Sequence, residues 1–288
     1  MITFRHFWDG FDPRVGFFSE LHDLFDLPID CEIELESVFR PKRQSAFSRL
    51  RREQLQNVPR LGRRRIWYSG ENIRPPFQQG FDGFLSYDQD DFGGENAYLP
   101  LVYISSLSKL GDGSGRVSGV REHNDLLKQR PPLANLPANF MCAFINNPEP
   151  TRLRAIEAFS KLGQVDVFGS LSGKIVQSKD DVAKEYKYIL CFENDLYPGY
   201  VTEKLFEGYL CGAVPIYWGD LGDEKHINRN SFLNLYDFSS LSEFVDKVRW
   251  TGEDEWHEVR SQAFYNSLPS LAQVRSVLLG PNLKRTTN

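Results

Sequence analysis

From Tyr188 to Gly219 the chain reads YILCFENDLYPGYVTEKLFEGYLCGAVPIYWG. Its start is an apolar run closed by Glu193 and Asn194, the pattern of a buried strand. Tyr197-Pro198-Gly199 then breaks the chain. Thr202 has the hydroxyl of a helix N-cap. Leu205, Phe206, Tyr209 and Leu210 follow on one helical face, and Gly212 suits a helix end. A second apolar strand opens at Val214. Two strands joined by one helix pair in parallel through a right-handed crossover. The stretch therefore predicts a helix over Glu203–Leu210 inside an α/β fold.

The same alternation extends toward the N-terminus. NFMCAFI, from Asn139, predicts a strand, Thr151–Leu162 a helix, and VDVFG, from Val165, another strand. In the first half, ITFRHFW, CEIELESV and RRIWYSG predict strands, and Phe17, Phe18, Leu21, Leu24 and Phe25 fall on one helical face. Residues 104–138 are richer in Ser, Gly and Pro, which places a domain boundary there. The expected organisation is residues 1–130, residues 131–270, and a tail at 271–288. Each half is a Rossmann-like domain, with the parallel sheets facing an interdomain cleft where ligands meet the carboxyl ends of the strands.

A chain of 288 residues is comfortable for two such domains. A net charge of −5 gives no reason to expect nucleic acid as a partner. The four cysteines, Cys31, Cys142, Cys191 and Cys211, are far apart and three lie in apolar segments, which suggests reduced, partly buried thiols in a reducing compartment. The five histidines form no zinc-type cluster. There is no apolar run long enough to span a bilayer and no secretory leader pattern, so a cytoplasmic location is expected. Residues 40–65 carry ten lysines or arginines and one acid, Glu53. This stretch is either a docking surface for anionic lipid or glycan, giving peripheral membrane contact, or a solvated face.

Two charges sit oddly on their helices. Lys204 lies in the first turn after Thr202, where the helix dipole disfavours a cation by about 0.3–1 kcal/mol. Arg152 follows Thr151, a second plausible N-cap. Two helix N-termini with added cations, both following strands of one sheet, suit a diphosphate. Glu203 beside Lys204 could accept hydrogen bonds from ribose hydroxyls. In the first half, Glu71 follows the strand-ending Ser69-Gly70 turn, where a carboxylate could serve as general base. YDQDD supplies Asp88 and Asp90, the spacing of a DxD metal motif.

The motifs FWDGFDP near the start, YSGEN at Tyr68–Asn72, Arg152 ahead of VDVFG, and CFENDLYPGYVTEKLFEGYLCGAVPIYWG together resemble glycosyltransferase family 10, the α-1,3/1,4-fucosyltransferases. The similarity covers roughly residues 2–265 and is densest over 186–220. The resemblance implies a GT-B architecture, with an N-terminal acceptor-binding domain and a C-terminal domain for GDP-β-L-fucose. It implies an inverting transfer of L-fucose to a glycan hydroxyl, α-1,3 to the N-acetylglucosamine of an N-acetyllactosamine-type unit. Glu71 would be the general base. Arg152 and Lys204 would neutralise the diphosphate, Glu203 would hold the ribose, and Asn194 and Tyr200 would line the donor pocket. No metal would be required, although manganese or magnesium could stimulate. Two rival readings exist: a metal-dependent GT-A transferase using Asp88 and Asp90, and a nucleotide-sugar or glycan-binding protein without catalysis.

Overall fold

A computed structural model of the chain describes residues 1–39, 63–77, 79–108 and 122–280. It divides into two compact units: Met1–Leu99 with the segment from Ser270, and Pro100–Pro269.

The first unit is built on β1 (Ile2–Arg5), β2 (Glu32–Glu36), β3 (Arg63–Tyr68), β4 (Gly83–Ser86) and β5 (Asn96–Tyr98), all parallel and in chain order. Between β1 and β2 the predicted helical face is divided into a 3₁₀ turn, Phe17–Ser19, and the short helix α1, Leu21–Leu24. Phe17, Phe18, Leu21 and Phe25 of that face are buried. Strand β2 alternates as its period requires. Ile33 and Leu35 are buried, while Glu34 and Glu36 meet cations from the neighbouring strands. Glu34 pairs with Arg63 at 2.7 Å and Arg5 at 3.3 Å, and Glu36 with Arg65 at 3.2 Å. The last arginines of the basic stretch are thus occupied inside the sheet. The remainder, residues 40–62, lies outside the described residues, and with it most of the expected docking surface.

The C-terminal segment expected as a tail forms a helix, Ala272–Leu279, within this unit. Val274, Val277, Leu278 and Leu279 are buried, and Arg275 Nε donates to Phe25 O at 2.7 Å. An apolar helical stripe so close to the chain end has to be covered, and it packs against β3, β4 and β5. Gly83 allows that approach: a Cβ there would lie 2.6 Å from Val277 Cγ1. Gly83→Ala is expected to destabilise this unit by about 1–3 kcal/mol through overpacking. Thermal denaturation followed by circular dichroism checks it; an unchanged midpoint would mean that the helix shifts freely.

The second unit contains α2 (Leu101–Leu107), β6 (Asn139–Phe144), α3 (Pro150–Phe159), β7 (Val165–Phe168), α4 (Lys179–Ala183), β8 (Tyr186–Phe192), α5 (Glu203–Leu210), β9 (Val214–Trp218), β10 (Leu233–Asn234), α6 (Leu241–Trp250) and α7 (Glu253–Ser261). Its parallel sheet runs β10-β9-β8-β6-β7. Met141, Ala143, Phe159, Phe192, Ile216, Phe244 and Trp256 share its core on the face covered by α3 and α6. The opposite face carries α5, against which α2 packs.

The unit begins at Pro100, ahead of the expected boundary at 130/131. The reason is α2, whose Val102, Tyr103, Ile104 and Leu107 are buried. Val102 N donates to Val201 O at 3.2 Å, Tyr103 Oη bonds the Glu224 carboxylate, and the Ser106 and Tyr265 hydroxyls meet at 2.6 Å. The Ser/Gly/Pro-rich segment is therefore an irregular connection inside this unit; residues 109–121 of it lie outside the described residues.

All four cysteines are buried and unpaired with one another. Burial pushes the thiols of Cys31, Cys142 and Cys191 above their usual range, so they behave as small apolar side chains. Among the described residues no helix is long and apolar enough to cross a membrane.

Candidate active site

Strand β6 lies between β7 and β8. The chain therefore leaves β6 toward one edge of the sheet and leaves β8 toward the other. Crossovers of one hand then put α3 and α5 on opposite faces, and the loops after β6 and β8 part at the carboxyl ends of their strands. Such a switch point is where open α/β sheets bind ligands. Arg152, Asn194, Tyr200, Glu203 and Lys204 all follow these two strands.

Arg152 joins the two loops. Helix α3 begins at Pro150, with Glu149 ahead of it making no side-chain cap, so Thr151 is not the N-cap that its hydroxyl suggested. Proline fits the first helical position because its missing N–H costs nothing there. The Arg152 side chain is buried. Its Nε and Nη2 donate to Phe192 O at 3.1 and 2.7 Å, Nη1 to Asn147 O at 3.0 Å, and Nη2 to Asn194 Oδ1 at 2.6 Å. The planar fork of guanidinium ties the end of β8 to the loop after β6. Burial lowers its proton affinity while nearby Glu193 favours the charge, and a guanidinium stays protonated in any case.

At α5 the cap expected from sequence is present: Thr202 Oγ1 accepts from Lys204 N at 3.4 Å. Lys204 Nζ donates to Thr202 Oγ1 at 3.0 Å and to Glu203 Oε1 at 3.4 Å, and lies 3.5 Å from Glu193 Oε2. Burial opposes its charge, but Glu203 and Glu193 outweigh that and raise its pKa. The misplaced cation thus has a first answer within the protein: two carboxylates offset the helix dipole. The Lys204 side chain keeps 26% of its surface exposed and that of Glu203 27%, so both remain open to a ligand. For Glu203, burial raises the carboxyl pKa, but Lys204 and a backbone hydrogen bond lower it below the ordinary value.

Glu193 escaped the sequence reading. It is completely buried at the end of β8 and accepts from Thr202 N at 2.8 Å, Thr202 Oγ1 at 2.7 Å and Tyr217 Oη at 3.0 Å. The available signal was an acid closing the apolar run ILCF, where burial requires a charged partner. Tyr200 is buried too, in a turn fixed by Gly199 N to Asp220 O at 2.9 Å and Tyr200 N to Tyr197 O at 3.0 Å.

Glu71 belongs to the first unit. It is half-buried just beyond the carboxyl end of β3. Ser69 Oγ donates to Glu71 O at 2.9 Å and accepts from Glu71 N at 3.1 Å, while Ser69 N donates to Leu85 O at 3.1 Å. The turn that carries the carboxylate is held by its main chain. Trp67 beside it is a core residue, whereas Trp8 and Phe11 are half-buried in an aromatic cluster, their rings 4.9 Å apart.

Asp88 and Asp90 build a turn. Asp88 accepts from Arg74 Nη2 at 2.7 Å and Asp90 N at 3.2 Å, and Asp90 accepts from Phe92 N at 2.9 Å. Among the described residues no three His, Cys, Asp or Glu side chains gather as a metal site.

Residues 138–260 match the family model "Glycosyltransferase family 10 (fucosyltransferase) C-term". The chain is 29% identical over 212 residues to the alpha-(1,3)-fucosyltransferase FucT of Helicobacter pylori, covering 65% of this chain and 44% of that protein. It is 34% identical over 107 residues to the mouse 4-galactosyl-N-acetylglucosaminide 3-alpha-L-fucosyltransferase 9, covering 36% of this chain and 30% of that protein. The matches thus span less than half the length of these curated relatives. A crystal structure of an alpha1,3-fucosyltransferase superposes with a TM-score of 0.66 at 22% identity, covering 96% of this chain and 89% of that one. The same TM-score of 0.66, at 21% identity, holds for an alpha1,3-fucosyltransferase crystallised with GDP-fucose. The fold, two parallel sheets each in its own unit, is accordingly of the GT-B type. Over residues 138–260 the chain is similar to the C-terminal domain of glycosyltransferase family 10, and over 212 residues it is similar to an α-1,3-fucosyltransferase.

Proposed function

We propose that the chain is an inverting fucosyltransferase that moves L-fucose from GDP-β-L-fucose to a glycan hydroxyl. The acceptor position is O3 of N-acetylglucosamine in an N-acetyllactosamine-type unit. The observation that carries the reading is the pair of cations at the switch point of the second unit: Arg152 bridging the two loops and Lys204 beside Glu203 in the first turn of α5. The family relatives and the fucosyltransferase fold support the same reading.

The chemistry follows from charge. As the bond from fucose to phosphate breaks, the sugar carbon becomes cationic and negative charge grows on the diphosphate. Cations already fixed in place stabilise that charge more in the transition state than in the ground state, which accelerates the step. Glu203, its carboxyl held ionised, accepts ribose hydroxyls. Glu71 takes the proton from the attacking acceptor hydroxyl. The second unit then serves the donor and the first the acceptor.

Calorimetric titration with GDP, GDP-fucose and UDP, in the presence of EDTA, tests the reading. Binding of both guanine nucleotides and not UDP is the expected result. Binding only after manganese is restored would instead favour Asp88 and Asp90 as metal ligands. Donor binding without turnover on any acceptor would favour a non-catalytic binding protein.

A further inference from the structure

Glu193 is a buried acid that this chemistry leaves without a task. No part of its surface is exposed, yet its carboxylate is gripped from two sides. Oε1 accepts from Thr202 N at 2.8 Å and from Tyr217 Oη of β9 at 3.0 Å. Oε2 accepts from Thr202 Oγ1 at 2.7 Å and lies 3.5 Å from Lys204 Nζ. Because the Thr202 hydroxyl hydrogen is committed to Glu193, the lone pairs of Oγ1 are left for Lys204, whose N and Nζ both donate to them, at 3.4 and 3.0 Å. Glu193 therefore sets the position of the ammonium twice: by direct attraction, and by orienting the hydroxyl that holds it.

The charged and titratable groups that bear on this cluster are Lys204 and Glu203 on α5, Arg152 on α3 with Glu149 just ahead of that helix, the Tyr217 phenol on β9, and Tyr200. Lys204 and Arg152 are matched by Glu193, Glu203 and Glu149, so the cluster carries no excess of positive charge. A sugar nucleotide brings two negative charges on its diphosphate, and the attraction of Arg152 and Lys204 for them is offset while both cations remain paired with carboxylates. When Lys204 turns its ammonium to phosphate, Glu193 would be left as a buried carboxylate without its nearest cation, which is strongly unfavourable.

Resting on the donor reading above, we propose that Glu193 is a positioning residue that exchanges Lys204 for a proton when a nucleoside diphosphate sugar binds. Without the donor the carboxylate pairs with Lys204. With the donor bound, Lys204 pairs with the diphosphate, and Glu193 takes one proton from solvent to become the neutral acid. The balance is one carboxylate and one proton in, one carboxylic acid out; no other covalent bond changes. The new O–H on Oε2 donates across its 2.7 Å contact to Thr202 Oγ1, and the Thr202 hydroxyl hydrogen, which pointed at Glu193, turns into the space that Lys204 Nζ has left. Thr202 N and Tyr217 Oη continue to donate to Oε1. The cluster thereby gains one positive charge when the donor needs it. Burial already raises the affinity of Glu193 for a proton, while Lys204 and the Thr202 hydrogen bonds lower it; removing the Lys204 contribution raises it further.

The test is calorimetry of the chain with GDP-fucose, whose diester diphosphate does not titrate near neutrality, in buffers of different ionisation enthalpy. The expected result is uptake of about one proton per donor bound over some part of the range from about pH 6 to 8. Glu193→Gln imitates the neutral acid and should bind the donor with no proton uptake and with an affinity independent of pH. Should that variant fail to fold, Tyr217→Phe removes one hydrogen bond to the carboxylate and should move the uptake maximum to higher pH. Donor binding without proton uptake in the unmodified chain overturns the exchange and leaves the donor reading standing. A Glu193→Gln variant that folds and still takes up the proton also overturns it. Absence of any GDP-fucose binding overturns the donor reading and this inference together.

Discussion

Arg152→Ala is expected to lower both fold stability and donor affinity, and the geometry gives a reason for each. The guanidinium donates to Phe192 O, Asn147 O and Asn194 Oδ1 from a buried position. Truncation leaves buried acceptors without donors, at about 1–3 kcal/mol each where water cannot replace them. A total near 3 kcal/mol, and a fall in melting temperature of roughly 6–12 °C, is the expected outcome. Donor affinity should fall by about 30-fold, equivalent to one lost charge-assisted contact of about 2 kcal/mol. Arg152→Lys separates the two effects. It restores a point charge but not the fork, so part of the affinity should return and little of the stability. Thermal denaturation and GDP-fucose titration of both variants check this. An unchanged melting temperature would show that the loops after β6 and β8 do not depend on the bridge. Unchanged donor affinity would remove Arg152 from the diphosphate site.

Glu71→Gln is expected to cut transfer by about 10²- to 10⁴-fold, the usual value of a positioned general base. The turn is held through Ser69 and the main chain of Glu71, so exchanging a carboxylate oxygen for an amide leaves the main-chain contacts in place. GDP binding should stay within about twofold of the unmodified chain, since the loss is confined to proton removal. Initial rates with an N-acetyllactosamine acceptor, alongside GDP titration, separate the two quantities. Ordinary turnover in this variant would sink the assignment of Glu71 as base. A parallel loss of GDP affinity would mean that Glu71 shapes donor binding as well.

Local order was readable where one segment contains all the residues that determine it. Thr202 caps α5 through its own hydroxyl, and Leu205, Phe206 and Tyr209 form a buried stripe, so the helix Glu203–Leu210 agrees with its expected limits. The parallel pairing of β8 with β9 follows from one helix between two apolar strands. Sequence was less reliable where the deciding partner is far along the chain. Thr151 looked like a cap, yet Pro150 starts α3 and Arg152 turns to carbonyls about 40 residues away. The terminal segment looked like a tail, yet Val274 and Val277 complete the core of the first unit.

Periodicity, turn residues and the capping hydroxyl determined that this chain forms parallel α/β units and where α5 begins, because those preferences are satisfied within a few residues. The family motifs, too, lie in contiguous segments. Only the tertiary structure decided how the charges of the site balance. Lys204 was legible as an anomaly, but its two carboxylate partners were not both legible as partners. Glu193 reaches Lys204 only because the loop after β8 folds back to place Thr202 between them. The energy of a buried charge depends on every group within a few ångströms, and those groups are brought together by the fold, not by spacing along the chain.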